Sequence, residues 1–387
     1  MRVLVNATTL VVGGGIQIGV SFIEEAFREK RFSWKFLVSP GIYDHISEDI
    51  RRNSDIQCVP ISPAKPYSGA KSRRLIRRIC SEWTPHLVYS IGFPSYIRFR
   101  QPEIGRYTNP WEINFPPLPW HLYPEWTKRL KIRLGIWYRQ YWSKCAAYIE
   151  TQTEDARSGI HQRIGFPLDR IRVFPNSPNR IFIEAGQHSP DLPPPEAPFR
   201  IFCLAAPYPH KHLDIIPDVA LALKQRFGLE AEFLLTLPEA GPLWNTIRQK
   251  ALVQGVGPKI SNLGVLKLQD CIAHYRKSHL VFLPTLLEVF SATYLEAMAM
   301  KKPIVTTDLS FAHDNCGDAA LFFKAGDAVS AAEAIHRVLN DPAVYRSLIS
   351  RGTTQLARYP DNAIKYQNLF HWFEMLIKKN NRHHESI

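Results

Sequence analysis

The sequence predicts two α/β domains in series, each a mostly parallel sheet layered with helices, and three observations carry that expectation. At 387 residues the chain exceeds the roughly 250–300 residues at which single cores stop growing, so two cores are expected. β-Branched and apolar runs alternate with amphipathic stretches along the chain, the pattern of strands followed by helices. The alternation breaks once, at Ser189-Pro-Asp-Leu-Pro-Pro-Pro-Glu-Ala-Pro198, which holds five of the 30 prolines; neither a helix nor a central strand accepts that density. This run is the expected linker, dividing the chain into domains at residues 1–188 and 199–360.

The elements follow in order. Residues 2–6 form a β-branched strand, Gly13-Gly14-Gly15 a glycine loop, and residues 17–30 a helix with Ile18, Phe22, Ile23, Ala26 and Phe27 on one side. Strands are expected at 34–38 and 87–90, and basic helices at 71–80 and 127–147. Past the linker the predicted strands are 199–204, 232–236, 280–283 and 303–306, with helices at 213–227, 243–253 and 291–300. A final helix at 362–380 carries Tyr366, Leu369, Phe370, Trp372, Phe373 and Leu376, which require burial.

Composition narrows the class. With 45% hydrophobic and 21% charged residues the chain lies far from the disordered regime and suits a packed enzyme. The six cysteines are scattered, with no Cys-x-x-Cys and no histidine at metal-ligand spacing, so they are expected to be reduced thiols of a cytoplasmic protein. The apolar start is interrupted by Asn6, Thr8 and Thr9 and reads as a strand, not a signal peptide. No window reaches the ~18–20 apolar residues of a spanning helix. Charge is uneven: residues 1–190 carry 27 Lys/Arg against 16 Asp/Glu, and residues 191–387 carry 21 against 19. A basic half attracts phosphorylated small molecules, anionic lipids or nucleic acid, and charge alone does not choose among them.

Chemistry concentrates around Glu288 and Glu296. A strand ends near Pro284, a loop carries Glu288, and a helix starts near Ser291, which puts the loop at the carboxyl end of a parallel strand, where open α/β sheets bind ligands. The backbone N–H groups of Phe290, Ser291 and Ala292 at that helix start favour a phosphate. Two carboxylates beside an anion site make sense when they accept hydrogen bonds from neutral hydroxyls, as a nucleotide sugar supplies on either side of its diphosphate.

These residues resemble the Glu-x7-Glu motif of retaining glycosyltransferases of family 4, and Lys302-Pro-Ile-Val-Thr-Thr-Asp308 and Cys316-Gly-Asp-Ala-Ala320 are similar to its continuation. The resemblance implies a GT-B fold, two Rossmann-like domains facing across a cleft, with the last helix packing back on the first domain. It implies that Glu288 contacts the donor sugar, Phe290, Ser291 and Ala292 the diphosphate, and Glu296 the ribose. Ala205-Ala-Pro-Tyr-Pro-His-Lys-His-Leu213 resembles the diphosphate loop, with Lys211 neutralising the leaving group without a metal. Ala205 stands where many members have arginine, and His210 is the available helper. Gly14 and Gly15 are implied to face the diphosphate, and Gly264 in Asn262-Leu-Gly-Val265 to flank the base. Thr108 and Asn109 stand where members often carry a His-Asp pair, which leaves Asn109, Trp111 and His121 as acceptor-side candidates.

The implied function is a retaining, metal-independent transfer of a hexose, mannose or rhamnose by family analogy, from a GDP- or UDP-sugar to a glycan or lipid-linked acceptor. Bacterial surface polysaccharide synthesis is the implied setting. The nucleotide sugar is a co-substrate, and no cofactor or metal is expected; no Asp-x-Asp occurs in the chain, so the usual ligand motif of metal-dependent GT-A enzymes is missing. The basic helices suggest a peripheral position on an anionic inner membrane face. A catalytically idle GT-B scaffold is the alternative; nucleic-acid binding leaves the two glutamates without a purpose and is set aside.

Overall fold

The computed structural model describes residues 1–11, 14–115, 118–187 and 198–385, with side chains through Asn380; Gly13 and all of the proline-rich stretch but Pro198 lie outside the described residues. Two compact units result, one of residues 1–113, 126–175 and 361–387, the other of residues 114–125 and 176–360.

Among the described residues the first unit has seven strands: β1 (Arg2–Ala7), β2 (Ser33–Val38), β3 (Ile56–Cys58), β4 (Leu87–Ser90), β5 (Glu103–Arg106), β6 (Tyr148–Thr151) and β7 (Ile171–Val173). They pair in the order β3-β2-β1-β4-β5-β6-β7, parallel throughout. β1 and β4 are buried along nearly their whole length, as apolar strands covered on both faces must be. On one face Val3, Val5, Phe22, Phe36 and Tyr89 share a core with Leu369, Phe370, Trp372 and Phe373 of the last helix, Asn362–Glu385. Leu4, Leu37, Val88, Ile76 and Ile79 fill the other face.

The second unit carries six strands among the described residues: β8 (Phe199–Cys203), β9 (Ala231–Leu235), β10 (Ile260–Asn262), β11 (Leu280–Leu283), β12 (Ile304–Thr307) and β13 (Ala320–Phe323). Their order is β10-β9-β8-β11-β12-β13, again parallel. Strand–helix alternation therefore gives two parallel-sheet α/β domains, the predicted class. Helix Arg180–Gln187 precedes the proline-rich run yet packs in this second unit, with Phe182 in a core beside Tyr275 and Tyr294.

In each sheet the winding reverses once, between β1 and β4 in the first and between β8 and β11 in the second. Loops leaving two such neighbouring strands diverge to opposite faces and open a crevice at the carboxyl ends. In the first unit these loops are tied by Thr9, whose Oγ1 donates to the Gly92 carbonyl at 2.5 Å.

Candidate active site

At the reversal point of the second sheet, Lys211 follows β8 and Glu288 follows β11, and their side chains form an ion pair. Only 13% of the lysine and 16% of the glutamate side chain is exposed, so the pair is shielded from bulk water and screened less than a surface bridge. Two short 3₁₀ turns, Pro209–Lys211 and Leu213–Ile215, lead into helix Ile216–Phe227, and His212 joins them in the left-handed region at φ 51°. The loops are stitched by the backbone: Leu286 N donates to the His210 carbonyl at 2.8 Å. Asn114 adds a second tie, its Oδ1 accepting from Glu288 N at 3.1 Å, and the Glu288 carboxylate accepts from Val289 N at 3.2 Å.

Glu296 lies in the second turn of helix Ala292–Ala299. It is 8% exposed, so it is no surface glutamate. Tyr275 donates its hydroxyl to Glu296 Oε2 at 2.9 Å. Burial raises the Glu296 carboxyl above its ordinary value, and the tyrosine hydrogen bond works against that shift. Beside it opens a cavity of about 490 Å³, walled by the loops after β8 (Leu204, Ala205, Ala206, Pro207), after β9 (Thr236, Pro238) and after β10 (Val265, Leu266), with Thr293 and Cys271. Its lining is mostly apolar apart from the Glu296 carboxylate and two threonines. A flat apolar ring with a hydroxyl-bearing sugar fits that chemistry. Asn262 holds two of the walls together, its side chain accepting from Leu237 N at 2.9 Å and donating to the Leu237 carbonyl at 3.0 Å. Gly264 turns the same loop at φ 72°, a conformation costly for other residues.

The helix start differs in detail from the expectation. Helix Ala292–Ala299 begins one residue after Ser291, which occupies the cap position without a side-chain capping bond. Phe290 is half-buried and meets Tyr359 edge-on, with ring centroids 6.0 Å apart. His210 does not supply a second cation. Burial first, and then the Lys211 charge, lower its imidazole to about 4, so it is neutral at physiological pH and offers hydrogen bonding only. Its ring stacks on Tyr208 at 5.5 Å.

The other candidates fall in different places. Gly14 and Gly15 form the first turn of helix Gly14–Arg28 in the first unit instead of a loop. A Cβ at Gly14 would meet open space, whereas one at Gly15 would sit 3.0 Å from Leu10. Asn109, also in the first unit, accepts from Trp111 N at 3.2 Å and so starts the short helix Pro110–Ile113, which holds Trp111 half-buried. His121 belongs to the second unit and meets His212 edge-on at 6.1 Å. Sequence reasoning missed Asn114 and Tyr275 as supports of the two glutamates. Nothing in their local sequence marks them, because both contacts are made across long chain separations. Among the described residues no three His, Cys, Asp or Glu side chains gather as a metal site would require.

Residues 198–341 match the family model described as Glycosyl transferases group 1. No curated protein sequence matches the chain. Solved structures share its fold nearly end to end. A glycosyltransferase from Rickettsia africae ESF-5 aligns at TM-score 0.70 and 14% identity, covering 97% of this chain and 98% of that one. Sucrose-phosphate synthase from Thermosynechococcus elongatus gives TM-score 0.70 and 14% identity over 98% and 99%. Anabaena HepE in complex with UDP gives TM-score 0.67 and 14% identity over 97% and 100%. The chain thus has the two-domain GT-B fold, and the stretch similar to Glycosyl transferases group 1, residues 198–341, lies in its second unit.

Proposed function

We propose that this protein is a retaining glycosyltransferase of family 4 that moves a hexose from a nucleotide sugar to a glycan or lipid-linked acceptor without a metal. The observation that carries the proposal is the Lys211–Glu288 pair at the sheet reversal, beside the cavity that holds Glu296. In this reading the nucleoside occupies that cavity and its ribose hydroxyls donate to Glu296, while the diphosphate lies at the start of helix Ala292–Ala299. As the bond from the anomeric carbon to the diphosphate oxygen breaks, charge develops on the leaving group, and the Lys211 ammonium stabilises it. Glu288 then exchanges part of its contact with Lys211 for hydroxyls of the donor sugar. The acceptor hydroxyl attacks from the face the diphosphate leaves, which retains configuration, and its proton passes to the departing diphosphate oxygen.

UDP and GDP are the candidate carriers, and the HepE complexes with UDP and UDP-glucose support the first. Mannose and rhamnose are the sugars suggested by analogy, with a bacterial surface polysaccharide as product and the inner membrane face as the workplace for a lipid-linked acceptor. Thermal shifts with UDP, GDP and ADP identify the base, since the ligand that binds the folded state raises the melting temperature by mass action.

Lys211→Ala and Glu288→Ala, both keeping the native circular dichroism, are expected to lower turnover of the matching sugar nucleotide by about 100-fold or more, the cost of deleting one charge-stabilising donor. Turnover unchanged in either variant would sink the assignment. A native chain that binds the nucleotide and turns over no sugar donor would make it a scaffold instead. Activity abolished by a chelator and restored by Mn²⁺ would remove the metal-free mechanism, and an inverted anomeric centre by NMR would remove retention.

A further inference from the structure

Helix Trp126–Ser143 of the first unit turns an apolar stripe to solvent. Trp126 is 73% exposed, Leu134 58% and Trp137 66%, with Leu130 and Tyr141 also exposed between and beyond them. At about 100° per residue these five positions fall within roughly 80° of arc, so they form one line along the helix. The opposite side holds the helix in place. Tyr138 stacks on Tyr96 at 5.5 Å, Trp142 meets the same ring at 6.3 Å, and Arg139 Nε donates to the buried Glu112 at 2.5 Å. Scattered exposed apolar residues need no explanation, but an aligned row that the unit leaves uncovered marks a contact surface.

Cations border the row. Lys131 and Arg133 are exposed along its flanks. A second helix, Ala70–Trp83, contributes charge alone: Ile76, Ile79 and Cys80 are buried in the core, while Lys71, Arg74, Arg77 and Arg78 face out. The segment between β4 and β5 connects the two helices. Ile97 belongs to the same core cluster as Ile76 and Ile79, whereas Arg98 donates to the Tyr141 hydroxyl at 2.6 Å. The aromatic row and the cationic helix both belong to the first unit.

We propose that the aromatic face of helix Trp126–Ser143 lies on an anionic lipid surface, with the aromatic row in the zone between headgroups and acyl chains and the flanking cations over the headgroups. An extended surface offering apolar and anionic groups together at every point is what a lipid interface presents, and tryptophan and tyrosine favour that zone because one end of each ring is apolar and the other polar. Among the described residues no helix is long and apolar enough to cross a membrane, so the attachment is in the plane of the surface. It involves neither glutamate of the donor site and stands or falls separately from the proposed transfer.

Flotation of the full chain with phosphatidylcholine vesicles, with and without phosphatidylglycerol, tests it. Binding is expected only with the anionic lipid, and each cation near the surface contributes about 1 kcal/mol, roughly fivefold. High salt should release the protein. Brominated lipid should quench tryptophan emission in the native chain. The double variant Trp126→Ser, Trp137→Ser replaces two exposed side chains and should fold normally, yet lose binding by on the order of tenfold or more. Lys131→Gln with Arg133→Gln should reduce the preference for anionic lipid. Failure of the native chain to float, or equal flotation of the serine variant, overturns the proposal. So does a lipid-free dimer that the serine variant abolishes, since a second copy would then cover the row.

Discussion

Tyr275 and Glu296 show how one hydrogen bond tunes a buried carboxylate. Burial favours the neutral acid, and the tyrosine hydroxyl favours the anion. The proposed ribose contact needs the anion, so donor affinity should fall as pH drops through the raised carboxyl value. Tyr275→Phe removes the hydrogen bond that lowers that value, so the acid limb of kcat/KM for the donor should move to higher pH, with a smaller change at alkaline pH. An unmoved limb would mean Glu296 does not titrate in the productive range. At this scale the acidic pair and Lys211 were legible, because a charged residue beside a helix start is a local pattern. Asn114 reaches Glu288 across 174 positions, and the neutral state of His210 comes from burial that no local pattern reveals.

Short elements were the least legible. β3, β7 and β10 have three residues each, too few for periodicity to register, and they exist as strands because a longer neighbour supplies their pairing. β4 and β11, by contrast, match the predicted 87–90 and 280–283, because central strands buried on both faces are continuous apolar runs. Packing between helices has its own constraint. At Gly186, on helix Arg180–Gln187, an added Cβ would lie 1.8 Å from the Ala299 carbonyl oxygen at the end of helix Ala292–Ala299. Backbone cannot yield as a flexible side chain can, so Gly186→Ala should lower unfolding stability by about 1–3 kcal/mol, the usual cost of overpacking. Urea denaturation measures it, and a neutral result would mean the two helices separate freely.

For the whole molecule, the last helix decides the integrity of the first unit. Tyr366, Leu369, Phe370, Trp372, Phe373, Leu376 and Ile377 are all buried, and most share a core with the strands of residues 1–113. Losing large core side chains costs about 2–5 kcal/mol each, so together they exceed the roughly 5–15 kcal/mol that holds a typical domain folded. A chain ending at Pro360 should therefore lose one calorimetric transition and keep the other; retention of both would contradict the packing. The sequence by itself determined the α/β class and the need for two cores, and it marked the two glutamates and Lys211 as candidates, since strand–helix alternation, chain length and residues near one strand end are all local or additive. Only the tertiary structure decided that Lys211 meets Glu288, that Glu296 is buried against Tyr275, that residues 114–125 join the second unit, and that one of two basic helices leaves its apolar row in water. Each of these depends on which distant segments exclude water from one another, and that is settled by the assembled sheets and not by neighbouring residues in the chain.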